Sequence, residues 1–235
     1  MGVGVVLITR VKREFDSRLA EVFLREGYRV FAIGGGGVSG EMPVGEMPAG
    51  VTLLPGELDR AAAIVQKEAG KIDLYIDTSD ERSAADAFNI RDGLDENVIR
   101  NLYEANVLFS MAALEAFLPL LDASEQSSVE QGRRLCFLTS AQASINESRG
   151  IDGYGYKLSK AAMHNFFQMI SNKLSPAGYT LRVYDPLHGE VAPEPAAEGA
   201  FNYFIRRRGT ENKNPLRDDE TRLVFRDALG REHTW

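Results

Sequence analysis

Uninterrupted apolar runs alternate with amphipathic helical stretches along this chain, and that alternation constrains the fold more than any other feature. Val3–Thr9 is rich in β-branched residues, and the next stretch changes period. Phe15, Leu19, Val22 and Phe23 recur at helical spacing until Gly27, a plausible helix stop. Tyr28–Ile33 is a second apolar run, ending in Gly34-Gly35-Gly36-Gly37. The alternation continues with a strand at Val51–Leu54, a helix at Asp59–Lys71 and a strand at Ile72–Ile76. A long helix over Asp95–Leu121, expected to stop near Pro119, precedes a strand at Arg134–Thr139, a helix at Tyr156–Leu174 and a strand at Tyr179–Tyr184. Strands without polar alternation are buried on both faces, which is the signature of a parallel sheet with helices on either side. The expectation is one doubly wound α/β domain over residues 1–235, with loops at 38–50 and 122–133 and a loop-and-tail region at about 190–235.

Composition narrows the function classes. The 235 residues carry 27 Lys and Arg against 34 Asp and Glu, a net charge of −7, so a general nucleic-acid or anionic-membrane binder is not expected. No stretch is read as a membrane span, and the apolar N-terminal run, with no basic residue before it, reads as a strand and not a signal peptide. The single cysteine, Cys136, lies in an apolar run and reads as an inert core thiol; together these features suggest a cytoplasmic protein. His164, His188 and His233 are scattered, so no metal site is expected.

In a doubly wound sheet, ligands bind beyond the carboxyl ends of the strands, near the point where strand order reverses. The residues following the Arg134–Thr139 strand are Ser140 and Ala141, and the next helix opens with Tyr156-Lys157-Leu158-Ser159-Lys160. Tyr156 and Lys160 are four apart, so they share one helix face. An ammonium beside a phenol favours the phenolate and lowers its pKa from about 10, which suits a proton donor to a carbonyl or acceptor from an alcohol. A serine hydroxyl at Ser140 can hold the substrate oxygen.

The segment Tyr156-Lys157-Leu158-Ser159-Lys160-Ala161-Ala162 resembles the Tyr-x-x-Ser-Lys-Ala-Ala segment of the short-chain dehydrogenase/reductases. Asn106, inside the long helix, is similar to the family's helix asparagine, which organises a relay water. Gly132–Ser140 is similar to its fifth strand and catalytic serine, and Arg182–Gly189 to its sixth strand. Over about residues 3–191, the resemblance implies a Rossmann-like fold, NAD or NADP as cofactor, a small carbonyl or alcohol substrate and the catalytic quartet Asn106, Ser140, Tyr156 and Lys160. It also implies cofactor contacts from Thr9, Arg10, Lys12, Arg13, Phe15, Asp77, Thr78, Gly189 and Val191, and a homodimer or homotetramer paired through the two long helices.

Departures from the family pattern are concentrated where a dinucleotide would lie. The glycines of its first turn, Thr-Gly-x-x-x-Gly-x-Gly, are replaced by Arg10, Glu14 and Asp16. Those glycines let backbone approach a pyrophosphate at a helix N-terminus. Arg10, Lys12 and Arg13 either contact phosphates through their side chains or are merely solvated, with Asp16 capping the helix. Asn-Asn-Ala-Gly after the fourth strand becomes Asp77-Thr78-Ser79-Asp80, and Gly34-Gly35 stands where NAD or NADP preference is usually legible. The loop from Ser140 to Tyr156 is longer than usual, which leaves Ser144 as a competing serine. His188, in place of a proline, is read as a loop residue. The Arg206–Arg208 run is read as completing a helix from about Ala196. Glu190–Phe204 occupies the family's substrate-loop position, and Val224–Trp235 reads as a last strand and exposed tail, with Trp235 at an interface or over a pocket. Two readings remain: an NAD(P)-dependent oxidoreductase transferring hydride between nicotinamide and a carbonyl or alcohol, or a non-catalytic binding or partner protein of the same fold that has lost dinucleotide binding.

Overall fold

A computed structural model describes residues 3–34, 47–87, 91, 93–124, 133–148, 153–205 and 223–235. In chain order the elements are β1 (Val5–Val11), α1 (Glu14–Arg25), β2 (Arg29–Gly34), β3 (Thr52–Leu54), α2 (Leu58–Glu68), β4 (Leu74–Asp77), α3 (Glu96–Tyr103) and α4 (Phe109–Asp122). They continue with β5 (Arg134–Leu138), α5 (Tyr154–Leu174), β6 (Thr180–Asp185), α6 (Pro193–Ile205), β7 (Phe225–Asp227) and β8 (Glu232–His233). The strands form one eight-stranded sheet in the order β3-β2-β1-β4-β5-β6-β7-β8, parallel throughout except for β8. This is the doubly wound Rossmann-like architecture expected from the sequence.

Alternate strand residues feed two cores. Leu7, Tyr75, Leu135 and Val183 pack with α2, α4 and α5, while Ile8, Ile76, Cys136 and Tyr184 pack with α1 and α6. On the second face Phe23 meets Phe201 edge to face at 4.9 Å, joining α1 to α6. Gly27 ends α1 at a positive φ of 83°, which lets the chain turn directly into β2.

Strand order reverses between β1 and β4, where Thr9 lies opposite Asp77 in register. The carboxyl ends of these two strands therefore open the crevice that positions the site.

Several expectations change. The helix expected over Asp95–Leu121 starts on the Asp95 carboxylate, which accepts from the amides of Asn97 and Val98, and runs past Pro119 to Asp122. One hydrogen bond is lost at Pro119, but Leu120 and Leu121 beyond it are buried, which favours continuation. By length and composition this helix could cross a membrane, contrary to the expectation of no such stretch. Val107, Ala113, Leu114, Phe117, Leu120 and Leu121 nevertheless commit one face to the core. The helix read from about Ala196 begins slightly earlier, as α6 from Pro193, so it takes up most of the Glu190–Phe204 segment at the family's substrate-loop position. The C-terminal end is a hairpin, not an exposed tail: Trp235 lies edge-on to His164, with ring centroids 4.9 Å apart, and packs near Phe225. Arg206–Arg208 and most of the connections expected at 38–50 and 122–133 lie outside the described residues.

Candidate active site

The crevice collects side chains from six segments. α5 supplies Tyr156 and Lys160, and its start is fixed by a carboxylate distant in sequence. Asp86 accepts from the backbone amides of Gly155 at 2.8 Å and Tyr156 at 2.9 Å, capping the helix where the phenol leaves it. Gly155 is needed here because a Cβ would lie 2.9 Å from Leu102 and 3.1 Å from Ile99 Cα; its absence lets α5 approach α3 closely.

Lys160 is buried, with its side chain 1% exposed. Its ammonium donates to the carbonyl of Ser79 and, at 3.3 Å, to that of Leu138, and stands 3.4 Å from Asp80. Burial alone disfavours the charge and lowers the Lys160 pKa, while Asp80 opposes that shift. Tyr156 donates to Asp80 Oδ1 at 2.5 Å and accepts from Arg82 at 2.9 Å; the Arg82 guanidinium also lies 4.2 Å over its ring. Burial and the Asp80 carboxylate push the phenol well above its ordinary pKa, against the opposing pull of Arg82 and Ser140. The expected acidification of Tyr156 by Lys160 is thereby overturned. Phenol and ammonium share one carboxylate oxygen, Asp80 Oδ1.

Ser140 is buried, within influence of the Tyr156 phenol, and its hydroxyl accepts from Gln142 N. Ser144, the competing serine, spends its hydroxyl on the amides of Asn146 and Glu147, closing a turn. Asp185 holds the Ser140 segment by accepting from Ala141 N at 2.7 Å. Asn106 lies within a π-helical turn, Glu104–Leu108, that joins α3 to α4. Its amide nitrogen donates to Glu81 O and Ser159 Oγ, both at 3.0 Å, and its oxygen accepts from Glu81 N at 2.6 Å. Both donors are therefore used within the protein, so the asparagine ties the 79–82 segment to α5 instead of offering its amide to a relay water.

The basic residues after β1 are not merely solvated. Arg10 adopts the left-handed region, φ 54°, at the position of the family's first glycine, a conformation costing a non-glycine residue roughly 1–2 kcal/mol. Its guanidinium lies 4.8 Å over the Phe109 ring and 3.3 Å from Glu81, which Lys12 also meets at 2.5 Å. Arg13 donates to Asp80 at 2.5 Å and to Thr78 O at 2.8 Å. Thr9 and Thr78 are buried and joined, the Thr78 hydroxyl donating to Thr9 O; Asp77 accepts from Ser79 N at 2.7 Å. Phe15 is buried edge-on to His188, whose ring lies 3.9 Å from Asp80. Gly189 is exposed at a positive-φ turn, and Val191 packs on the core shared by α1 and α6. These last two are not brought to Tyr156 and Lys160 by any hydrogen bond or ion pair described.

Three residues central to this geometry, Asp80, Glu81 and Arg82, were not assigned roles from the sequence. The only signal was the acidity of the segment after β4, with Asp80 standing where the family has glycine.

The phosphate end does not fit a dinucleotide in this arrangement. A pyrophosphate needs free amides at a helix N-terminus, but those of Lys12 and Arg13 both donate to the buried Asp16 carboxylate at 2.9 Å. Glu14 adds a second acidic side chain to the first turn of α1. Asp80 and Glu81 take the cations that could otherwise meet phosphate.

No family model matches the chain, and no curated protein sequence does. Solved structures do match. NADPH-bound carbonyl reductase from chicken fatty liver superposes with a TM-score of 0.77 at 17% identity, covering 100% of this chain and 95% of that one. A protein from Burkholderia multivorans described as a short-chain dehydrogenase/reductase, with bound NADP, gives 0.76 at 16% identity with both chains fully covered. A carbonyl reductase from Pseudomonas aeruginosa PAO1 in complex with NADP gives 0.70 at 18%, covering 99% of this chain and 100% of that one. The chain has the fold of the short-chain dehydrogenase/reductases.

Proposed function

We propose that the chain is an NAD(P)-dependent oxidoreductase of the short-chain dehydrogenase/reductase type, acting on a carbonyl or alcohol group of a small molecule. One observation carries this reading: Asn106, Ser140, Tyr156 and Lys160, from three separate segments, are drawn together around the carboxyl ends of β4 and β5, each held by a backbone contact. Tyr156 is the group that moves the proton and Ser140 the hydroxyl that orients the substrate oxygen. Lys160, pinned under the Ser79 and Leu138 carbonyls, supplies the positive charge beneath them. The neighbouring structures, bound to NADP or NADPH, support the cofactor class and leave NAD versus NADP open.

A homo-oligomer belongs to the same proposal. Tyr103, Leu108 and Met111 on the α3–α4 helix and Leu158 and Met169 on α5 are exposed apolar side chains, which favours pairing through these helices. The buried, lone Cys136 agrees with a reducing compartment such as the cytoplasm.

The second reading, a partner protein without dinucleotide, is favoured by one specific observation, the capture of the α1 amides by Asp16. Titration of the protein with NADPH and with NADH, followed by nicotinamide fluorescence, separates the two. Saturable binding below millimolar concentration and turnover of an aldehyde and ketone panel are expected on the first reading. Absence of nucleotide binding, in the wild type and in a variant lacking the Asp80 carboxylate, establishes the second.

A further inference from the structure

We propose that Asp80 is an internal plug: its carboxylate masks the Tyr156 hydroxyl and the Lys160 ammonium, and an incoming anionic ligand has to displace it before the site can work. The inference rests on the oxidoreductase reading for the site's purpose, but its evidence is independent of that reading. A phenol that is to exchange a proton with substrate must present its oxygen to the crevice. Here the Tyr156 proton is directed at Asp80 Oδ1, 2.5 Å away, and the oxygen accepts from Arg82. Substrate therefore meets an already satisfied hydroxyl.

The same carboxylate touches most of the local positive charge. Asp80 is 2.5 Å from Arg13, 3.4 Å from Lys160 and 3.6 Å from Arg82, with His188 at 3.9 Å. Its side chain is only 3% exposed, so these partners, and not water, satisfy it. Glu81 beside it neutralises Arg10 and Lys12 in the same way. Five cations thus converge on two carboxylates from adjacent positions. Rotation of Asp80 away leaves Arg13, Arg82 and Lys160 without their shared counter-charge, a setting that attracts a phosphate or carboxylate group.

Asp80 is not itself suited to carry the proton. Burial would raise its pKa, but Lys160, Arg13 and Arg82, with the Tyr156 hydrogen bond, outweigh burial and hold the carboxyl well below the ordinary range. A carboxylate held charged so strongly is a poor acceptor for a phenol raised well above its own. The backbone is not the moving part, because Asn106 grips Glu81 through both N–H and C=O; the elements that move are the side chain of Asp80 and the 45%-exposed side chain of Arg82.

The test compares NADPH affinity and carbonyl turnover of the wild type with Asp80→Gly, which removes the plug, and Asp80→Asn, which keeps its shape and removes its charge. The expected result is a dissociation constant at least tenfold lower for Asp80→Gly and a smaller change in the same direction for Asp80→Asn. Should Asp80→Gly fail to fold, shown by loss of a cooperative melt, Asp80→Asn alone decides the sign. Unchanged or weaker affinity in a folded variant overturns the plug while leaving any wild-type turnover, and with it the oxidoreductase reading, intact. Tighter binding with no turnover on an aldehyde and ketone panel supports the plug and overturns the oxidoreductase reading. No nucleotide binding by wild type or either variant overturns both.

Discussion

Tyr156 and Asp80, 76 positions apart in sequence, share a 2.5 Å hydrogen bond whose carboxylate also balances Lys160 and Arg13. This contact links acid stability to the site. The Asp80 carboxyl is held below the ordinary carboxylate value of about 3.9. A group whose folded pKa is depressed contributes stability above its unfolded pKa and loses it as pH falls toward the folded one. Urea melts are therefore expected to show wild-type stability declining below about pH 4 more steeply than that of Asp80→Asn. Parallel pH profiles for the two proteins would show that Asp80 carries no such linkage.

Tyr156→Phe separates chemistry from packing. The ring stays under Arg82, so the structural cost is the two hydrogen bonds of the hydroxyl, chiefly that to the buried Asp80 carboxylate, about 1.5–3 kcal/mol. Turnover is expected to drop at least ~10²-fold, the scale of general acid–base catalysis. Steady-state kinetics beside a thermal melt distinguish the two effects, and an unchanged rate would remove Tyr156 from the proton-transfer role.

The parallel sheet and the placement of Tyr156 and Lys160 on one helix face were legible because they depend on local periodicity. Val3–Thr9 and Ile72–Ile76 read as strands from apolar continuity alone, close to the observed Val5–Val11 and Leu74–Asp77, and four-residue spacing fixes a shared face on any helix. The plug was not legible, since Arg13 and Asp80 meet only after β1 and β4 pair, 67 residues apart in sequence. The phenol's pKa was misjudged for the same reason: spacing brings Lys160 to the right face but says nothing of the carboxylate that comes between. The C-terminal hairpin escaped because strands as short as Glu232–His233 carry no readable alternation.

That hairpin has its own titration. His233 contacts Glu147 at 2.6 Å and Asp227 at 2.9 Å, with the Phe225 ring beside it and Arg231 on the same Asp227 oxygen. Burial lowers its pKa, but the two carboxylates more than offset this and raise it above the usual 6.5. A raised folded pKa gives stability that is complete below about 6.5 and is lost as pH rises through the folded value. NMR titration of the imidazole should place its midpoint above 6.5, and Glu147→Gln should lower it. A wild-type midpoint at or below 6.5 would contradict the ion pairs as drawn.

Asp86 offers the clearest separation between positioning and chemistry. Its carboxylate accepts from the amides of Gly155 and Tyr156, and its backbone oxygen accepts from Gly153 N, so one residue holds three positions around the start of α5. Asp86→Ala leaves two buried amide donors without their acceptor, at a cost of about 1–3 kcal/mol each where neither finds a substitute. At roughly 2–4 °C per kcal/mol for a chain of this size, a fall in Tm of about 5–15 °C is expected. Because the same cap sets where the Tyr156 side chain begins, kcat should fall together with Tm, whereas Asp86→Asn, which retains one acceptor oxygen, should recover part of both. Loss of Tm without loss of kcat would mean that Tyr156 is positioned by its own contacts with Asp80 and Arg82 and that the cap serves the fold alone.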